Sequence, residues 1–159
     1  LNMTAYYRSA FDASRQRDAY HFTNWAVGCL LLERADPPRA VGRWQPVLAA
    51  MAEKQTEATV AANAEDPSFW GETGLGDLLV VQLLLAAGRK DAGSRCAELA
   101  TAAGERYADA FSRGASLREI ASVHEHLDFL IALTADAEAA WPLAAREALA
   151  ALRRGLGGI

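Results

Sequence analysis

His124-Glu125-His126-Leu127-Asp128 is the densest cluster of side chains that could do chemistry. His124 and Asp128 are four residues apart, so on a helix they share a face and could supply two ligands to one metal ion. The zinc-protease spacing His-Glu-x-x-His is absent, and a third ligand would have to come from elsewhere, with His21 the candidate. His124 also falls on the stripe Ile120, His124, Leu127, Ile131, which describes a partly buried, hydrogen-bonded histidine. The second reading is preferred, and neither a metal nor another cofactor is expected.

The other reactive residue types have plain structural readings. Cys29 sits among Val27, Leu30 and Leu31, and Cys96 lies near Leu99. Neither has a neighbouring histidine or basic context to favour a thiolate, so both are expected as buried free thiols. The carboxylate pairs Glu53/Glu57, Glu65/Asp66 and Glu119/Glu125 have no apolar setting that would raise a pKa, and solvated helix faces account for them. Asn24-Trp25 is more informative. An amide on an apolar helix face must find a partner, or its burial costs about 1–3 kcal/mol. A bond from Asn24 to a neighbouring helix or loop is the expected use, and a ligand-facing amide is the alternative. The paired arginines Arg15/Arg17 and Arg153/Arg154 suit helix C-termini.

Residues 68–79, SFWGETGLGDLL, carry Gly71, Gly74 and Gly76 inside a helical pattern. A phosphate-cradling loop needs G-x-G-x-x-G between a strand and a helix. The order here is G-x-x-G-x-G, and the residues before it read as a helix end. Each interior glycine costs about 1 kcal/mol relative to alanine. Gly71 and Gly74 lie on one face, and close approach of a neighbouring helix would offset that cost. No catalytic set emerges, and no enzymatic activity is expected.

The elements that would position these residues are helices throughout; strand alternation is nearly absent. Segments are expected over about 3–15, 19–34 (capped by Asp18), Pro46 to Ala64, Pro67 to Ala87, Ala92 to Ser112 and Leu117 to Ala135. Pro37-Pro38 breaks the chain after the second. Asp66-Pro67 is read as cap and first turn of the fourth, and Ser116-x-x-Glu119 as the capping box of the sixth. Asp136 is taken to open a last segment, in which Pro142 is either a kink or the true first turn. Short connections favour antiparallel neighbours, so an initial helix followed by three hairpins is expected, as one domain over 1–159. Tyr7-Arg8-Ser9-Ala10-Phe11 is echoed by Tyr107-Ala108-Asp109-Ala110-Phe111 at an offset of 100 residues, which fits stacked hairpins of about 50 residues.

The composition is that of a folded domain: 159 residues, 52% hydrophobic, 23% charged. The net charge of −4 argues against nucleic acid, whose phosphates call for a basic excess. The longest apolar run, Leu78 to Ala87, is interrupted by Gln82 and is about half a membrane span, so no membrane partner is expected. Two cysteines and no signal peptide fit a reducing cytoplasm. Fourteen arginines against two lysines, with abundant alanine and glycine, resemble the output of a high-GC bacterial genome. The chain enters a helical pattern directly after Leu1 and is expected to be a piece of a longer protein.

Trp70-x-x-Thr73-Gly74 is similar to the Trp-x-x-Leu-Gly spacing of tetratricopeptide repeats. Tyr7, Ala10, Phe11, Tyr20, Asn24 and Ala26, then Phe69-Trp70 with Thr73 and Asp77, then Tyr107, Ala110 and Ser122 before Leu127–Leu130, resemble the TRAFs-binding domain of the apoptosis-signal-regulating kinases and its bacterial relatives. The standard repeat has 34 residues, and these hairpins are longer. The resemblance implies an all-α, tetratricopeptide-like array that binds proteins or regulates a larger chain and has no active site of its own.

The expected function is therefore a non-enzymatic protein-interaction or regulatory scaffold whose partner is another protein or another domain of the same chain, with a homodimer as a further possibility. Tyr6, His21, Lys54 and Glu57 are outlying contact candidates on exposed faces. The alternative is a small-molecule or metal sensor with a pocket between hairpins lined by Asn24, Trp25, Trp70 and His124.

Overall fold

The computed structural model describes residues 3–35, 44–135 and 141–157. Among them are seven helices and no strand: α1 (Met3–Ala13), α2 (Ala19–Ala35), α3 (Gln45–Glu65), α4 (Phe69–Ala86), α5 (Ala92–Ser112), α6 (Leu117–Ala135) and α7 (Leu143–Leu156). The fold is all-α, as the periodicity requires.

Local chemistry sets the boundaries. α1 stops at Ala13 because Arg15 and Gln16 both turn into the left-handed region, at φ 57° and 59°. The Gln16 carbonyl accepts a 2.7 Å bond from Gln55 Nε2 of α3, which holds that turn in place. Asp18 caps α2 by accepting from the His21 amide. α4 begins two residues later than Asp66-Pro67 implies. Ser68 is its cap, with Oγ accepting from the Gly71 amide at 3.0 Å, and Asp66 instead ends α3. The capping box of α6 is reciprocal: Ser116 N–H donates to Glu119 Oε2, and Glu119 N–H donates to Ser116 Oγ. Pro142 precedes the first turn of α7, so it starts a helix and kinks none. The Asp136 start signal and the Pro37-Pro38 break lie outside the described residues.

The pairing differs from one lone helix followed by three hairpins. α1 and α2 pack together as the first pair, and α3 packs mainly on α4 with little contact to α2. α4 lies at the centre, against α2, α3 and α5. α5 packs on α7, and α6 packs on α7 with little contact to its sequence neighbour α5. α4 alone among the described helices has the length and mean hydropathy (1.2) to cross a membrane, and 56% of it is buried within this chain. Neighbours on several sides explain why it is apolar nearly all round.

The three α4 glycines have separate causes. A methyl group on Gly71 would lie 2.1 Å from Asn63 Oδ1, and one on Gly76 would lie 2.6 Å from the Tyr107 ring. Side chains, not helix backbones, fill these two gaps. Gly74 meets nothing closer than Ala19 Cβ at 3.8 Å. The expectation that Gly71 and Gly74 together seat a neighbouring helix is thus corrected: the tight positions are Gly71 and Gly76.

The Tyr-x-x-x-Phe echo has a local meaning. Phe11 and Phe111 each sit near a helix end and meet a ring on the following helix, Phe22 at 5.5 Å and His124 at 5.9 Å. The tyrosines differ, since Tyr107 is wholly buried and Tyr7 only partly. Cys29 and Cys96 are both buried and free. Burial, with Glu33 nearby, pushes the Cys29 thiol up to about 11.

Candidate functional site

After α5 the chain reverses at Gly114, φ +83°, a left-handed position that suits glycine. α6 then leaves α5 and packs on α7. A groove of about 1140 Å³ lies between it and the start of α2, with α3 and α4 forming its other walls.

One stripe of α4 forms the groove's working face: Trp70, Thr73, Gly74 and Asp77, at i, i+3, i+4 and i+7. Trp70 is 61% exposed at its mouth, and Tyr20 of α2 is also exposed there. Deeper in, Thr73 is 6% exposed and its Oγ1 has no hydrogen-bond partner. A buried unpaired hydroxyl costs about 1–3 kcal/mol. Asp77 keeps some accessible surface on the groove side while protein packs around the rest of it. Its Oδ1 accepts a 2.6 Å bond from the Tyr107 hydroxyl, its one hydrogen bond from the described residues. Gly76 makes that bond possible by leaving room for the Tyr107 ring beneath α4.

Burial raises the Asp77 carboxyl above its ordinary range, and His126 of α6 and the Tyr107 bond oppose this only in part. Tyr107 itself is pushed well above the usual phenol range by burial and by Asp77. Tyr20 is pushed up to about 12, first by the Tyr7 hydroxyl, then by burial and the charges around it, Asp77 among them. Both phenols are therefore neutral hydrogen-bonding groups at physiological pH.

The structure brings two of the four expected site residues into this groove. Asn24 and Trp70 line it. The Asn24 amide donates to Tyr20 O of its own helix at 2.8 Å, not to a neighbouring element. Trp25 is not a lining residue. It is 2% exposed and packs on Phe11, Phe22 and Trp44, with the Arg8 guanidinium over its ring. Adjacent helical residues point about 100° apart, so Asn24 can reach the groove only if Trp25 turns elsewhere. His124 is likewise absent from the lining, and His126, two residues on, takes that place. His124 packs on Phe111, and its Nε2 is buried without a partner. Burial, and then the Arg153 cation, lower its pKa. Asp128 is held by Arg153 through both oxygens, at 2.9 and 3.2 Å, so the His124/Asp128 pair does not converge on a metal. Among the described residues no group of three His, Cys, Asp or Glu side chains is placed to hold one. Tyr6, Lys54 and Glu57 are exposed and His21 is half-buried, and none of them lines the groove.

Thr73, Asp77 and His126 are the groove residues that reading for catalytic patterns misses. For Thr73 and Asp77 the signal is polar side chains placed one turn apart in an otherwise apolar helix, where an aspartate is rarely buried unless something holds it. Comparison with protein-family models, with curated proteins and with solved structures gives no match.

Proposed function

We propose that this chain is a non-enzymatic recognition domain of a larger bacterial protein: a helical scaffold that takes an extended segment of a protein partner, or of its own longer polypeptide, into the groove beside α4. The observation that carries the reading is the α4 stripe. An exposed indole lies at the mouth, with an unpaired hydroxyl and a poorly solvated carboxylate below it. Open apolar clefts with a few convergent polar groups are the usual form of a binding site. The likeness to tetratricopeptide-type arrays supports the same reading, because such domains present surfaces between adjacent helical pairs.

A second reading, a small-molecule sensor, is favoured by the depth of Thr73 and by a volume close to the range of about 300–1,000 Å³ typical of ligand pockets. Selection from a random peptide-display library on the immobilised domain separates the two. The peptide reading expects enriched sequences whose binding is lost in Trp70→Ala. No enrichment, together with a metabolite that raises the thermal midpoint by mass action, transfers the function to the second reading.

A further inference from the structure

We propose that the groove recognises a primary ammonium group, the side chain of a lysine in the bound segment, and that Asp77 and Thr73 receive it. This rests on the reading of the groove as a peptide site and names the residue that it selects.

Asp77 supplies the charge. Its position is unfavourable for a carboxylate in the free protein: it is packed by protein, raised by burial, and given one hydrogen bond. A cation arriving from the groove would supply what the fold leaves out. Thr73 supplies the independent observation. Thr73 lines the same cavity one helical turn from Asp77, and its Oγ1, buried just beneath that lining, has no partner. A hydroxyl can accept from an ammonium while the carboxylate carries the ion pair.

The geometry favours ammonium over guanidinium. Arginine binds a carboxylate best through two parallel bonds to its two oxygens. Tyr107 already occupies Oδ1 at 2.6 Å, which leaves Oδ2 as the open oxygen for a point donor. Trp70 and Tyr20 at the mouth suit the lysine methylenes, and an aromatic face also attracts the cation as it enters. The groove's own cationic groups do not take the place of the ligand. Arg17 lines it but is exposed, and His126 opposes the rise in Asp77 without forming an ion pair with it. Asp18, the other acid of the lining, is turned to His21 at 2.9 Å. The net charge of −4 agrees with a basic partner.

The test uses two probes on the same protein. The first is n-butylammonium, the cation of a lysine side chain, titrated against the protein by amide NMR with n-butylguanidinium and n-butanol as controls. The expected result is millimolar binding with the largest shifts at Thr73 and Asp77, weaker shifts with guanidinium, and a loss of tenfold or more in Asp77→Asn. The second is the peptide-display selection, where wild type should enrich lysine and Asp77→Asn should not. Tyr20→Ala, outside the helical core, guards against a folding failure and should weaken both probes by a few-fold. Peptides that bind without lysine preference, and equally in Asp77→Asn, would overturn the ammonium assignment and leave the peptide groove standing. n-Butylammonium binding at Thr73 and Asp77 with no peptide enrichment would keep the ammonium site and overturn its peptide source. Binding of neither probe overturns both.

Discussion

Two carboxylates on α4 respond to burial in opposite ways, five residues apart. Burial would raise Glu72 too, but it accepts from Asn63 Nδ2 at 2.8 Å, Arg106 at 3.2 Å and Arg113 at 3.0 Å, and these hold its pKa below the ordinary value. Asp77 has one such bond and is raised. The pH consequences follow with opposite signs. For Glu72 the unfolded chain binds the proton more readily, so its stabilisation is present above the ordinary carboxylate pKa and is lost as pH falls through the lowered one. For Asp77 the native state binds the proton more readily, so stability falls as pH rises from the ordinary value through the raised one. Asp77→Asn should therefore be more stable than wild type at pH 7 in urea melts, and the gap should close as pH falls toward 4. A constant gap, or a destabilised variant, would show that burial of this charge is not what shifts it. Glu72→Gln should cost about 2 kcal/mol at pH 7, below the usual cost of a broken buried pair because both arginines are partly exposed and can rehydrate. The same melts check it, and a change below a few tenths would contradict the network's role.

At the scale of the helix, α4 was legible as an element but not in its details. Its length, its apolar run and its glycines could be read from the sequence. Which glycine touches what could not, because periodicity places a residue on a face without saying what covers that face. Gly76 seats the Tyr107 ring, and Gly74 opens into the groove. Alanine scanning at these two positions gives opposite signs. Gly74→Ala should stabilise by about 1 kcal/mol, the helix-propensity difference, since the new methyl meets only ordinary contacts. Gly76→Ala should destabilise by about 1–3 kcal/mol, since a buried ring would have to move. In a domain of this size each kcal/mol shifts the thermal midpoint by roughly 2–4 °C. Equal effects at both positions would refute the assignment of their neighbours. Asn24 and Trp25 teach the same lesson. Both were legible as special, yet one helical step sends the first to the groove and the second to the core.

At the scale of the molecule, the seven helices of the described residues were countable from caps and breaks, because Ser116/Glu119, Gly114 and Pro142 act over one turn of chain. The pairing was less legible, since it depends on contacts between distant segments. α6 leaves α5 for α7, and the groove lies beside α6, so no local pattern announces it. The groove also gathers residues from four helices and the turn between α1 and α2, at sequence positions from Ser14 to His126, which is why His124 and Trp25 were drawn into the expected pocket and His126 was not. The groove is thus a property of how α4 and α6 are held, and its role can be probed without disturbing that frame. Gly74→Leu places a side chain into the groove from a position with no tight neighbour. The most direct measurement is the affinity, by isothermal titration calorimetry, of the tightest display-selected peptide for wild type and for Gly74→Leu, with thermal midpoints taken alongside. Recognition through the α4 groove predicts at least a tenfold loss of affinity with the midpoint preserved. Equal affinity in the two proteins would place recognition on another surface.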